Sequence, residues 1–146
     1  MNKDFVLIPH TADIKLRVHG QTLEELFRNA LIGMFQSIDP RAKNCKRQRG
    51  RLVCDDLPEQ QVLKVSAGDR ELLLVDFLSE AIYLSDIHNQ AYLDVHIHEL
   101  SDTAIRATLR GVAVQGFGIE IKAVTYHDLF VRQVHGAWRA EIVFDI

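Results

Sequence analysis

The chain has 146 residues, of which 47% are hydrophobic and 25% are charged, and its formal net charge at pH 7 is −3. This composition excludes a disordered protein, and the length suits a single domain over residues 1–146 with a real core. The acidic balance argues against a general polyanion binder, although it leaves room for a local basic patch. The charged start and the lack of a long apolar run predict neither a signal peptide nor a membrane span, so we expect a cytoplasmic protein.

The first residues predict two strands. Residues 5–8 form a short apolar run that Pro9 stops. Residues 14–19 then alternate apolar with basic side chains, which is the period-2 pattern of a half-buried strand.

Two helices are predicted, each with a capping residue. Thr22 followed by Glu25 is a capping box, and apolar residues recur at helical spacing from there to Phe35. Asp69 can cap a second helix. That helix is apolar around most of its circumference between residues 72 and 84, which indicates burial between a sheet and another layer.

The second half of the chain predicts strands, with a hairpin formed by residues 129–134 and 137–144. Gly111, Gly116 and Gly118 predict bends or bulges. The fold class is therefore α+β, with mostly antiparallel sheet and the two main helices packed on one face.

Two features between the helices have open interpretations. Cys45 and Cys54 are the only cysteines. A disulfide is one interpretation, but in a reducing cytoplasm we expect two free thiols. Residues 41–51 contain six Lys and Arg side chains, which form either a solvated loop or an electropositive patch for RNA, a nucleotide or an acidic partner.

Residues that can bind a cation lie near the two ends. If the first and last strands are neighbours, Asp13, Asp145 and the terminal carboxylate of Ile146 crowd negative oxygens together. Such a group needs a compensating cation, and hard cations such as Mg²⁺ and Ca²⁺ bind oxygen ligands of this kind. The alternative is that both aspartates are ordinary exposed residues at strand ends.

Other chemistry-bearing residues give weaker signals. Lys122 can contact a phosphate or extend into solvent. His127 and Asp128 are adjacent, so on a regular strand they point to opposite faces and make a poor catalytic dyad. His96 and His98 share a strand face, but no third zinc ligand is visible. The sequence contains no phosphate-binding glycine loop and no nucleophile motif.

Several segments in order resemble the archease family across essentially the whole chain. They are the early helix, the apolar run at residues 72–78, and three motifs: Pro9-His10-Thr11-Ala12-Asp13-Ile14, Ile121-Lys122-Ala123-Val124-Thr125-Tyr126-His127 and Phe144-Asp145-Ile146.

This resemblance implies a function exerted on another enzyme. Archeases are cytoplasmic accessory proteins of RtcB-type RNA ligases in tRNA splicing and RNA repair. They promote guanylylation of the ligase by GTP and support multiple turnover, so RNA and GTP are reached indirectly through the ligase. The resemblance thus implies an activator rather than an enzyme.

The resemblance also implies a divalent-metal site for Ca²⁺ or Mg²⁺, with Mn²⁺ as a further option. By motif, its ligands are Asp13, Asp145 and an oxygen of Ile146, while Lys122, His10 and His127 are functional or ligase contacts. Two rival functions stay open. They are a general chaperone or adapter and, as the weaker rival, a stand-alone metal-dependent hydrolase.

Overall fold

The structure is a computed structural model that describes residues 4–9 and 13–146. These residues form eleven strands and two helices. In chain order they are β1 (Phe5–Pro9), β2 (Asp13–Gly20), α1 (Leu23–Ser37), β3 (Pro40–Arg41), β4 (Cys45–Gln48), β5 (Arg51–Cys54), β6 (Glu59–Ser66), α2 (Arg70–His88), β7 (Gln90–Leu100), β8 (Ala104–Ala113), β9 (Gly116–Phe117), β10 (Ala123–Val134) and β11 (Ala137–Asp145).

A four-stranded antiparallel sheet joins the two ends of the described chain. Its strand order is β1-β2-β11-β10. The alternation in β2 works as the sequence predicts, because Ile14, Leu16 and Val18 are buried while the residues between them are partly exposed. This sheet therefore has one buried face, which carries the apolar side chains of β2, and one outer face.

Both helices lie between this sheet and a second, three-stranded sheet with the order β6-β8-β7. Helix α1 contacts β1, β2 and β11 on one side and β7 on the other, whereas α2 contacts β10 and all three strands of the second sheet. The α+β fold class is therefore confirmed, and so is the burial of α2 between two layers. Buried residues of both sheets and both helices belong to one core cluster.

Both predicted N-cap residues accept a hydrogen bond, and for the predicted capping box this is the half made by the Thr22 hydroxyl. The Thr22 hydroxyl accepts a hydrogen bond from the Glu25 amide at 3.0 Å, and Asp69 Oδ1 accepts one from the Leu72 amide at 2.9 Å. Asn89 ends α2 in the left-handed conformation, with its amide donating to the Ser85 carbonyl. Neither helix in the described residues is long and apolar enough to cross a membrane.

The cysteines and the basic segment differ from expectation. Strands β4 and β5 form a two-stranded hairpin in which Cys45 lies directly opposite Cys54, with their Cα atoms 4.2 Å apart. The two sulfur atoms form a disulfide, so the expectation of two free thiols is wrong. The basic segment is likewise no simple loop, because residues 45–48 form the first strand of this hairpin.

The predicted irregularity at Gly111 has a clear cause. Gly111 is buried in β8 and lies opposite Tyr92, where the register of β7 shifts between Tyr92 and Asp94. A Cβ atom at position 111 would overlap the carbonyl oxygen of Ala91. The two strands therefore approach closely only because residue 111 has no side chain.

Replacing Gly111 with alanine should force β7 and β8 apart at this point. We expect Gly111→Ala to lower the free energy of unfolding by about 3 kcal/mol, as for an overpacked core. Urea denaturation measures this change. Gly116→Ala is the matched control, because a Cβ there has no neighbour within 4 Å, and it should change stability by less than about 0.5 kcal/mol. Equal effects of the two substitutions would contradict the explanation.

Candidate functional site

The two aspartates that the sequence singles out lie directly opposite each other. Asp13 begins β2 and Asp145 ends β11, and the ladder pairs them. Cα atoms of opposed antiparallel residues are about 4.5–5.5 Å apart, so the two side chains leave the same face of the sheet as close neighbours. The next pair, Ile14 and Phe144, is buried on the inner face. Asp13 and Asp145 therefore belong to the outer face.

The two carboxylates differ in their surroundings. Asp145 is exposed, whereas Asp13 is half-buried and its Oδ1 atom is shielded from solvent. Two acidic side chains directly opposite each other destabilise a strand pair. A bound cation would remove that cost.

Lys122 and Ile146 flank this pair. The Lys122 amide donates a 2.7 Å hydrogen bond to the Asp145 carbonyl, and Ala123 lies opposite Asp145 in the ladder. The side chain of Ile146 is half-buried against the core, which holds the backbone beside Asp145. The Lys122 side chain is exposed. The structure thus brings together four of the six predicted residues.

This set of oxygens fits a hard divalent cation. Carboxylates and backbone oxygens are the ligands of Ca²⁺ and Mg²⁺. Within residues 4–9 and 13–146, no group of three or more His, Cys, Asp and Glu side chains is placed to hold a metal ion. A cation between Asp13 and Asp145 would therefore need further oxygens from Ile146 or from water.

A charged network that sequence reasoning missed continues along the outer face. Lys15 Nζ lies 3.4 Å from Glu141 Oε1 and 3.7 Å from Asp128 Oδ2. Arg17 Nε donates a 2.8 Å hydrogen bond to Glu141 Oε2. The alternating basic residues of β2 were visible in the sequence. Their acidic partners, Glu141 on β11 and Asp128 on β10, become apparent only once the order of the three strands is known.

Glu141 is the best shielded member of this network. Its side chain is 13% exposed. Burial by itself raises the pKa of Glu141, but the hydrogen bond from Arg17 and the charges of Arg17 and Lys15 outweigh burial, so the pKa lies below its ordinary value of 4.5. Glu141 is therefore ionised at neutral pH, and it holds the positively charged side chains of Lys15 and Arg17 beside it.

His127 and Asp128 contradict the argument from strand alternation. The register of β10 shifts between Thr125 and Phe130, and Asp128 adopts a positive φ of 54°. This bulge turns the two side chains toward each other, so that His127 Nε2 lies 3.3 Å from Asp128 Oδ2. Both side chains are more than half exposed, at 73% and 54%. The contact orients His127 at the surface without enclosing it.

Three other histidines that the sequence analysis names are not seen in this cluster. His10 lies outside the described residues. His96 and His98 share a face as predicted, with ring centroids 4.7 Å apart, and a His98 ring nitrogen lies 2.8 Å from the Thr108 hydroxyl oxygen. They belong to β7 of the other sheet.

Sequence comparisons identify related proteins over nearly the full chain. A family model described as the Archease protein family (MTH1598/TM1083) matches residues 5–146. Protein archease of Methanosarcina mazei is 33% identical, covering 99% of this chain and 97% of that protein. Protein archease of Pyrococcus furiosus is 32% identical, covering 94% of each.

Comparisons with solved structures identify proteins of the same fold. The solution structure of Methanobacterium thermoautotrophicum protein 1598 matches with a TM-score of 0.71 and 25% identity, covering 98% of this chain and 99% of that one. The crystal structure of a Thermotoga maritima archease, described as a possible chaperone, matches with a TM-score of 0.59 over 100% of this chain and 98% of that one. Its 23% identity shows the fold alone.

The charged network predicts a pH-dependent contribution to stability. Because the pKa of Glu141 is lower in the folded state than in the unfolded state, its contribution is fully present above pH 4.5 and is lost as the pH falls through the folded pKa. We expect Glu141→Gln to lower the free energy of unfolding by about 1–2 kcal/mol at pH 7. Urea titrations over a series of pH values from 7 downwards measure the difference, which should shrink as the pH falls below 4.5. A penalty that does not change over this series would contradict this assignment.

Proposed function

This chain belongs to the archease family, and we propose that it is a cytoplasmic accessory protein that activates an RtcB-type RNA ligase in tRNA splicing and RNA repair. It acts by promoting guanylylation of the ligase and multiple turnover, and the ligase itself carries out the chemistry. Family membership supports the choice of an RtcB-type RNA ligase as the partner. The pairing of Asp13 with Asp145 is the observation that supports a working site on this chain.

Three residues would supply the oxygen ligands of a bound cation. Asp13 and Asp145 would supply carboxylate oxygens and Ile146 a backbone or terminal oxygen, for Ca²⁺, Mg²⁺ or Mn²⁺. When bound, a divalent cation neutralises negative charge on phosphate oxygens, which lowers the cost of bringing them together. The exposed position of Asp145 leaves this site open toward a partner.

Lys122 extends the site toward the ligase. Its amide is tied to the Asp145 carbonyl while its side chain remains exposed. The backbone of Lys122 is therefore fixed next to the carboxylates, and its ammonium group can reach a phosphate oxygen or a ligase carboxylate. His127 is exposed on β10 of the same sheet and offers a second polar contact.

The general chaperone alternative requires a contiguous exposed apolar surface. Large exposed apolar side chains of the described residues are instead spread over five elements, with Leu7 on β1, Val53 on β5, Val62 on β6, three residues on α2 and Tyr126 on β10. This distribution favours a polar site over a broad apolar one.

The aspartate pair can be tested through both metal binding and ligase activation. We expect Ca²⁺ or Mg²⁺ to raise the melting temperature of the wild-type protein, because an ion that binds only the folded state stabilises it. Asp13→Asn and Asp145→Asn should abolish that shift and reduce stimulation of guanylylation at least about tenfold. Calorimetric melting and a guanylylation assay with the cognate ligase provide the two measurements.

Asp102→Asn is the matched control for this experiment. Asp102 is an exposed carboxylate in the turn between β7 and β8, where it pairs with Arg70. Its substitution removes the same charge and should change neither readout. Full stimulation by both site variants would refute the metal hypothesis, and product formation without ligase would favour a stand-alone enzyme.

Lys122 should separate ligase activation from metal binding. We expect Lys122→Gln to keep the metal-induced rise in melting temperature, since the Lys122 amide still bonds the Asp145 carbonyl, and to reduce stimulation about tenfold or more. Lys122→Arg should restore part of the stimulation, since it retains the charge. Loss of the metal-induced shift in Lys122→Gln would mean that the side chain holds the carboxylates rather than a phosphate.

A further inference from the structure

The hairpin formed by β4 and β5 carries an unusual concentration of positive charge. Six of the 17 Lys and Arg residues of the chain lie within residues 41–51, and that segment contains no Asp or Glu. The chain as a whole has a net charge of −3. Four of the six lie in the hairpin itself, whereas Arg41 and Lys43 precede it. Residues 41–51 are therefore a local basic segment on an otherwise acidic protein. At its start, Lys43 lines a cleft that also contains Asp55, Asp56 and Glu59.

Three of the six positive side chains are taken up by contacts with the body of the protein. Arg41 and Arg47 form ion pairs with Asp39. Arg51 pairs with Asp4 at 3.5 Å and lies over the Phe5 ring, 4.4 Å from its centroid. Arg47 and Arg51 lie in the half of the hairpin nearer its turn, so these contacts attach that half to the body of the protein.

The other three positive side chains are available to a partner. Lys43, Lys46 and Arg49 are exposed. None of the ion pairs formed within the described part of the chain includes them. They follow one another at intervals of three residues, from the approach to the hairpin to its tip.

The hairpin is held rigidly. Gln36 of α1 bonds both backbone groups of Leu52, with its Nε2 2.9 Å from the Leu52 carbonyl and its Oε1 2.8 Å from the Leu52 amide. The Cys45–Cys54 disulfide closes the open end of the ladder. Ordering a ligand on a fixed surface of this kind costs little entropy in the protein.

Arg49 occupies a position that disfavours arginine. Arg49 and Gly50 are the two turn residues, and both have positive φ, at 52° and 78°, as in a type I′ turn. Every other non-glycine residue with positive φ in the described chain is Asn, Asp or His, the types that tolerate this conformation best. A strained arginine at an exposed tip indicates a role beyond folding.

We propose that this hairpin and the residues just before it bind the phosphate backbone of RNA directly, through Lys43, Lys46 and Arg49. Charge complementarity supports the proposal, because each phosphate that a positive side chain neutralises releases condensed counterions. The choice of RNA among polyanions rests on the proposed function, which brings an RNA ligase and its substrate to this protein.

The composition of the patch favours RNA over an acidic protein. Protein interfaces are built around apolar or aromatic side chains and are depleted in lysine, although arginine is enriched in them. Among the exposed residues of the two hairpin strands and the turn, Val53 is the one large apolar side chain. The hairpin thus lacks the centre of a protein interface.

The patch is distinct from the aspartate pair. Its anchors, Asp4 and Phe5, lie where β1 pairs with Val18 and His19 of β2, whereas Asp13 lies at the other end of β2. Five residues separate Asp13 from Val18, or about 17 Å along a strand. Contact with RNA would therefore not need the metal site.

Binding of a fluorescein-labelled 20-nucleotide RNA to the full chain tests the proposal, by fluorescence anisotropy at several salt concentrations. The assay contains EDTA and neither ligase nor GTP. Failure of ligase activation therefore leaves this measurement unaffected, and failure of RNA binding leaves the aspartate pair unaffected. We expect the wild-type dissociation constant to rise steeply with salt.

The test variant combines Lys43→Gln, Lys46→Gln and Arg49→Gln. We expect its affinity at about 0.1 M salt to be roughly 100-fold weaker and the slope of log affinity against log salt to fall by about 2, as the loss of three phosphate contacts on a single strand predicts. The matched control combines Lys64→Gln, Arg110→Gln and Arg139→Gln. It removes three exposed positive charges from β6, β8 and β11 that form no ion pair within the described residues, and it should bind within about twofold of wild type.

Arg49→Asn tests the tip without weakening the fold. Asparagine suits the left-handed position, so this variant should melt about 2 °C above wild type and yet bind RNA roughly fivefold more weakly. Polyglutamate serves as the probe for an acidic protein partner. The proposal is overturned if wild type shows no RNA binding, if the test and control variants weaken equally, or if the hairpin variant loses polyglutamate binding while RNA binding is retained.

Discussion

The antiparallel pairing of β2 with β11 is the contact on which the candidate site depends. It joins residues 13–20 to residues 138–145 in one continuous register, with Asp13 opposite Asp145. A shift of this register by one residue would turn every outward side chain of one strand inward. The apolar residues of both strands prevent such a shift, since Ile14, Leu16 and Val18 must face the same core as Phe144, Ile142 and Ala140. The core therefore determines which polar residues meet on the outer face.

Local patterns in the sequence were sufficient for most elements. Thr22 and Asp69 identified the starts of both helices because capping depends on a few neighbouring atoms. The apolar character of α2 around most of its circumference indicated its position between two sheets. The residues of the candidate site were also identified in advance, but by their resemblance to a family as much as by their spacing.

The features that sequence reasoning missed depend on contacts between distant residues or on backbone irregularities. The network of Lys15, Arg17 and Glu141 exists only because β11 lies beside β2. The contact of His127 with Asp128 requires a bulge that no local sequence pattern predicts. Cys45 and Cys54 form a disulfide because the turn at Arg49 and Gly50 sets the hairpin register. The expectation of free thiols came from the redox state of the compartment, which carries no information about that register.

The strand order also has a consequence for the path by which the protein folds. β11 is an inner strand, yet β2, its partner on one side, lies more than 110 residues earlier in the chain. During translation, β1 and β2 can form a hairpin early, but the other edge of β2 stays open until residues 137–145 have left the ribosome. Such non-local pairing slows folding, and an open apolar strand edge invites pairing with another chain. The nascent chain is thus most exposed to aggregation just before the strand that brings Asp145 to Asp13 is made.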